Sequence, residues 1–155
     1  MMRMAYDPLY VAYLVYFNRD RDYFECHEVL EKLWLATERN PLYKGLLQVA
    51  VGLYHFRDGN IRGARLMLES AEARLRDYPA ETLGIRLDAL LQEVRGYIRR
   101  LNSFDVKPFE YRDLTIPIVD ENLRAAVAAA GEALKPSLPQ RRGPQRTPSV
   151  PVERR

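Results

Sequence analysis

An all-α fold is what this sequence predicts: a single-domain helical bundle of about five to six helices with an extended C-terminal arm. Three observations carry that expectation. Apolar residues recur three and four positions apart through separate stretches of the chain. Turn-forming residues, namely Asn40-Pro41, Gly59-Asn60, Pro79 and Asp120, divide those stretches. Finally, 47% apolar against 29% charged residues in a chain of 155 suits a packed core, and excludes collagen-like, wholly disordered and disulfide-scaffold classes.

The elements follow in order. Tyr6 to Phe17 forms a short first helix with a mostly apolar surface, and Asn18 with the charged stretch 19–22 marks a turn. The second helix covers about 21–37, with Tyr23, His27, Leu30 and Trp34 along one face. Asn40, pushed out of helical geometry by Pro41, ends that hairpin turn. A third helix over about 42–57 stops at Gly59, a residue suited to the left-handed conformation past a helix end. Asn60 caps the fourth helix, in which Ile61, Ala64, Leu68, Ala71 and Leu75 repeat at helical spacing, and Pro79 closes it. The fifth spans about 82–101, with Leu87, Leu90, Leu91, Val94, Ile98 and Leu101 on one stripe. Residues 104–119 then lie extended across the bundle, anchored by Phe104, Phe109, Tyr111 and Ile116; a lone strand there has no evident partner. Asp120 caps a last helix built on the run Ala125–Ala130.

Charge divides the chain at residue 135. From 136 to 155 five arginines face one glutamate, a net of +4, and five of the ten prolines fall there. The remaining 19 basic and 20 acidic groups give −1, so the overall +3 belongs to the tail. Residues 1–135 are expected to form the all-α domain and 136–155 a flexible basic tail, too poor in large apolar groups to offset the entropy of ordering it. This tail is the one candidate contact for nucleic acid, although a solvated tail is the simpler account. Cys26 stands alone, so neither an intramolecular disulfide nor a cysteine-built zinc site is available. No signal-like segment opens the chain, and the longest mostly apolar run, Gly45–Tyr54, is about half the ~20 residues a membrane span needs. A cytoplasmic protein without membrane contact is the expectation.

The candidate site lies in Tyr23-Phe24-Glu25-Cys26-His27-Glu28-Val29-Leu30-Glu31-Lys32-Leu33-Trp34. His27 and Glu31 fall ~40° apart on adjacent turns, among Phe24, Leu30 and Trp34. An imidazole and a carboxylate on an apolar face need partners. Glu28 sits at the edge of that face, ~100° from His27, whereas Glu25 points away. The third helix repeats the anomaly, with Gln48 and His55 seven apart and flanked by Gly45 and Gly52, also seven apart. Two glycines on one face indicate a close-packed partner. An antiparallel hairpin about residues 38–41 would place Glu31 near Gln48, His27 near Val51 and Gly52, and Phe24 near His55. His27, Glu31, Gln48 and His55 then share one buried seam, with Glu28 at its rim.

Three accounts of the seam stand open. It is a hydrogen-bond network that fixes helix register; a small-ligand or catalytic pocket, in which a His–Glu pair acts as general base and orienting group; or a metal site using His27, Glu31 and His55. The order His27-Glu28-x-x-Glu31 is neither HExxH nor the ExxH of di-iron bundles, and the chain has two histidines in all. No stoichiometric metal and no cofactor are expected. Cys26 reads as an inert core thiol. Gly59-Asn60-x-x-Gly63 reads as a stop, a cap and a packing position rather than a phosphate loop. Arg62, Arg65, Arg74 and Arg76, offset by Glu69, Glu72 and Asp77, read as a solvated face.

These residues carry a resemblance. Phe17-Asn18, Tyr23-Phe24-Glu25-x-His27-Glu28-x-x-Glu31-x-x-Trp34, Leu47-Gln48-x-x-Val51, Tyr54-His55 and Gly59-Asn60-x-x-Gly63-Ala64 together resemble the domain of unknown function 309 family. The likeness covers about residues 10–76, with Cys26 where alanine is expected, and leaves out the arm and tail. Such proteins are small bacterial and archaeal all-α proteins without an established activity, so the resemblance implies the fold and the choice of residues but no reaction. The sequence therefore supports a helical protein whose His/Glu/Gln seam forms a small-ligand or metal pocket. The alternative is a non-enzymatic interaction protein that docks a protein or nucleic-acid partner through a helical face and the basic tail. Catalysis and self-association are left open.

Overall fold

A computed structural model describes residues 6–136. Six helices make up most of it: α1 (Pro8–Val15), α2 (Tyr23–Ala36), α3 (Pro41–Arg57), α4 (Ile61–Leu75), α5 (Leu87–Asn102) and α6 (Glu121–Ala133). The expectations for the basic tail from 137 onward lie outside the described residues.

Side-chain caps set most of the helix starts. Asp7, Asp22, Asn40, Asn60 and Asp120 each accept a hydrogen bond from a backbone N–H of the first turn, satisfying donors that have no partner within the helix. Pro8 and Pro41 occupy first-turn positions, where a missing N–H costs nothing. At the end of α3, Gly59 adopts φ +85°, and the Asn60 N–H returns to the His55 carbonyl at 2.8 Å.

Two stretches depart from the expected boundaries. After α1 the chain does not turn at Asn18 but winds on as one π-helical turn, Tyr16–Asp20, and breaks at Arg21 in the left-handed region (φ 55°). The widened turn and the residue that ends it aim three polar side chains, Asn18, Arg19 and Arg21, at the C-terminal segment. The Asn18 carboxamide bonds both the N–H and the carbonyl of Ile116, at 2.9 and 3.0 Å. Arg19 reaches the Gly131 carbonyl at 2.6 Å and the Leu134 carbonyl at 3.3 Å, a cation at the negative end of α6. Arg21 bonds the Leu114 carbonyl and the Thr115 hydroxyl.

The second departure is at the start of α5, which begins at Leu87 rather than near 82. Residues 81–86 instead form a two-stranded hairpin, β1 (Glu81–Thr82) and β2 (Ile85–Arg86), turning through Leu83 and Gly84 at φ 53° and 79°. Positive φ at both central residues matches the twist of a two-residue hairpin turn. A Cβ on Gly84 would sit 2.8 Å from the Tyr6 hydroxyl and 2.9 Å from Leu123, so the close approach also requires glycine. This hairpin supplies the partner that the arm lacked in the sequence. Ile85 bridges Ile118, the Arg86 N–H bonds the Pro117 carbonyl at 3.0 Å, and the Val119 N–H bonds the Gly84 carbonyl at 2.8 Å. The arm's expected anchors are in place, with Phe109 packed on Phe56, Tyr97 and Phe104, Tyr111 on Phe56, and Ile116 buried.

The core centres on α3, which is buried along almost its whole length between α2 and α4. Tyr10, Tyr13, Phe17 and Tyr23 fill it from α1, the π turn and the start of α2. The Tyr13 hydroxyl donates to the Leu46 carbonyl at 2.8 Å, so the phenol is not left unpaired in the interior.

Candidate functional site

The polar residues singled out above occupy two different contacts of α3. On the α2 side, His27 is nearly enclosed while its neighbours are not. Its Nδ1 lies 3.6 Å from Glu28 Oε2 and its Nε2 3.5 Å from Glu31 Oε1, with side-chain exposures of 8% for His27, 46% for Glu28 and 43% for Glu31. Glu31 was expected inside the seam. Its side chain is instead 43% exposed, which avoids the cost of burying a charge. The result is a nearly enclosed imidazole flanked by two nearly half-exposed carboxylates of its own helix.

On the α4 side the partners come from the neighbouring helix. Gln48 is buried, and its Oε1 accepts from Ser70 Oγ at 3.1 Å and from Arg74 Nε at 3.0 Å. His55 is also buried, and its Nδ1 lies 3.5 Å from Asn60 Nδ2, the side chain that caps α4. The glycine stripe serves this same contact. A Cβ on Gly45 would fall 2.6 Å from Leu75, and one on Gly52 would fall 2.7 Å from Leu68 and 3.4 Å from the Ala64 carbonyl. The close partner of Gly52 is therefore α4, not His27 of α2 as the hairpin register suggested. Gln48 likewise takes its named partners from α4 rather than from Glu31. Phe24 packs against Tyr54, the residue beside His55, with ring centroids 6.4 Å apart.

Two features escaped the sequence reading. Half-buried Trp34, one turn beyond Glu31, gathers two cations over its ring, with Lys44 Nζ at 4.2 Å and the Arg39 guanidinium at 5.3 Å from the centroid. Arg39 and Glu38 both hold left-handed backbone (φ 59° and 57°), a conformation costly for residues with a Cβ. The signal available was a turn between α2 and α3 that lacks glycine. Ser70 and Arg74 were also missed as partners of Gln48, although their i, i+4 spacing on α4 places them on one face.

Cys26 is enclosed, its Sγ 3.6 Å from the Tyr13 carbonyl, and burial pushes its thiol well above the ordinary range. It lies in the core as expected. At the far end of α3, Arg57 stacks on Tyr23 at 4.5 Å and donates to the Arg21 carbonyl at 2.9 Å. The Tyr23 hydroxyl bonds that of Tyr111 at 2.7 Å, and Tyr111 donates to Asp113 at 2.6 Å. Burial raises the pKa of both phenols, and this group ties the arm to the core. Among the described residues no helix is long and apolar enough to cross a membrane, and no group of three or more His, Cys, Asp or Glu side chains is placed to hold a metal ion.

A small all-α chain with its histidine–carboxylate motif on α2, its Gln/His pair on α3 and a glycine-asparagine turn into α4 defines a helical family by the order of its motifs. The family model that matches, over residues 10–67, is "Domain of unknown function (DUF309)", and the chain belongs to that family. It is 36% identical over 126 residues to "Uncharacterized protein YpuF" of Bacillus subtilis (strain 168), spanning 78% of this chain and 70% of that protein. An "Uncharacterized protein" of Aquifex aeolicus (strain VF5) is 26% identical over 83 residues, 52% of this chain and 24% of its own length. No solved structure matches. The family match runs from α1 into α4 and takes in His27, Glu28, Glu31, Gln48 and His55, while Ser70 and Arg74 lie beyond it.

Proposed function

We propose that this protein is a small-ligand-binding protein whose site is the surface of α2 around His27, with Glu28 and Glu31 at its edge. The observation that carries the reading is the contrast within one triad. An almost enclosed imidazole has both ring nitrogens within 3.6 Å of carboxylates that are themselves nearly half exposed. A network serving register alone has no need to hold its acids in water, where such pairs contribute little to stability.

The charges around this surface suggest the ligand class. Two carboxylates stand on one turn, and Lys44 and Arg39 gather at Trp34 on the next. A zwitterion fits that pattern, its cationic or donor end toward Glu28 and Glu31 and its anionic end toward Lys44 and Arg39. Trp34 and Phe24 would offer apolar surface to its body.

The test is an NMR titration of the ¹⁵N-labelled protein with free amino acids, simple amines and simple carboxylates. The expected result is saturable shifts confined to residues 27–34 and 39–48, produced by a zwitterion and lost in His27→Ala and Glu31→Gln. Saturation that persists in both variants, or the absence of any shift at these residues across the panel, would overturn the reading.

A further inference from the structure

A second site, independent of the one above, lies on the opposite flank of α4. There α4 and α5 leave a cleft of about 440 Å³ lined by Glu69, Glu72, Arg76, Arg95, Ile98 and Arg99.

Its charges are organised rather than scattered. Glu72, with a side chain only 16% exposed, gives both of its oxygens to guanidinium groups. Oε1 meets Arg76 Nη2 at 3.1 Å, and Oε2 meets Arg95 Nε and Nη2, each at 3.0 Å. A carboxylate held in this way is consumed as an acceptor, and it fixes two arginine forks that would otherwise sample many rotamers. Arg95 still has Nη1 outside that contact, and Arg76 has its other nitrogens. Arg99 follows Arg95 by one turn on the same wall. Three arginines against two glutamates leave the cleft with a net charge of +1, and Glu69 is the one carboxylate in it without a guanidinium named above. Ile98 adds an apolar patch between the charged walls.

We propose that the α4–α5 cleft is a binding site for a small organic oxyanion, a carboxylate or phosphate monoester, held by Arg99, Arg95 and Arg76 with its apolar body on Ile98. Glu72 acts as the positioning residue that aims Arg76 and Arg95. Glu69 sets an upper limit on affinity by repelling the anion, and the intermixed acids disfavour an extended nucleic-acid backbone, which needs an unbroken basic track.

The proposal is tested by following backbone and arginine Nε–Hε resonances during titration with inorganic phosphate, phenyl phosphate, benzoate and a short single-stranded oligonucleotide. Expected are saturable shifts at residues 69–76 and 95–99, with the aryl anions binding more tightly than inorganic phosphate. Preference between phenyl phosphate and benzoate identifies the head group. Arg99→Gln should weaken binding about tenfold or more, as loss of a charge-assisted contact does, with the melting temperature unchanged. Glu69→Gln should strengthen binding, and His27→Ala should leave it as it was. The proposal is overturned by shifts spread over arginines throughout the surface, by the oligonucleotide outcompeting phenyl phosphate, or by undiminished binding in Arg99→Gln.

Discussion

The two sides of α3 treat polar residues in opposite ways. Toward α4, the glycines at 45 and 52 let the helices meet at side-chain contact distance, and the buried Gln48 oxygen is taken up by two donors from that neighbour. Toward α2, the buried imidazole of His27 lies within 3.6 Å of two carboxylates of its own helix that are nearly half exposed. Both sides looked alike in the sequence, as polar residues on apolar helix faces. The difference teaches that the role of such a residue can be read only once it is known whether its partners sit on its own helix or on a neighbour. A buried acceptor bonded by donors of the neighbouring helix ties two helices together, whereas the carboxylates beside His27 come from its own helix and span no contact between helices.

The comparison can be broken most forcefully on the α4 side. Gly52→Val should cost about 2–3 kcal/mol in a urea melt, because its Cβ already meets Leu68 at 2.7 Å and the Ala64 carbonyl cannot yield as a side chain can. Stability equal to the parent's would mean that α4 can move away freely, and that the glycines are not what sets this contact.

A second effect belongs to the core beneath both sides. Tyr10, Tyr13 and Tyr23 are held as neutral phenols, and burial raises the pKa of each above its ordinary value. In the unfolded chain they ionise near ~10. Their contribution is therefore fully present below that pH and is lost as pH rises through it. Far-UV circular dichroism should show the urea midpoint falling steeply above pH ~10, with unfolding preceding or accompanying phenolate absorbance. Ionisation of all ten tyrosines in a folded protein at that pH would contradict the burial.

Cys26 gives a smaller test. Iodoacetamide should leave the thiol of the folded protein unmodified at pH 8 over hours and label it promptly in urea, since the enclosed group is held as the thiol. Prompt labelling under native conditions would show that α2 opens locally.

The sequence made the helices legible where local chemistry sets them. Asn40-Pro41, Gly59-Asn60 and Asp120 each mark a helix end by a mechanism within a few residues, and α2, α3, α4 and α6 fall close to where those marks put them. What stayed hidden depends on distant partners. The π turn at 16–20 makes sense once Ile116 is beside Asn18, and the 81–86 hairpin once Ile118 is beside Ile85. The choice of His27, Glu28, Glu31, Gln48 and His55 came from their anomaly on apolar faces. Their division between two contacts did not, because hairpin register speaks only of α2 and α3, and the glycines belong to α4.

The central claim is that division, and parallel urea denaturation of Gln48→Leu and Glu31→Gln tests it most directly. Gln48→Leu should lose about 1–3 kcal/mol, since it strips the acceptor from Ser70 and Arg74. Glu31→Gln should stay within about 0.5 kcal/mol of the parent, because its carboxylate is 43% exposed and its pairing with His27 is 3.5 Å long. Equal losses in the two variants would contradict the account, placing Glu31 in the same stabilising network as Gln48.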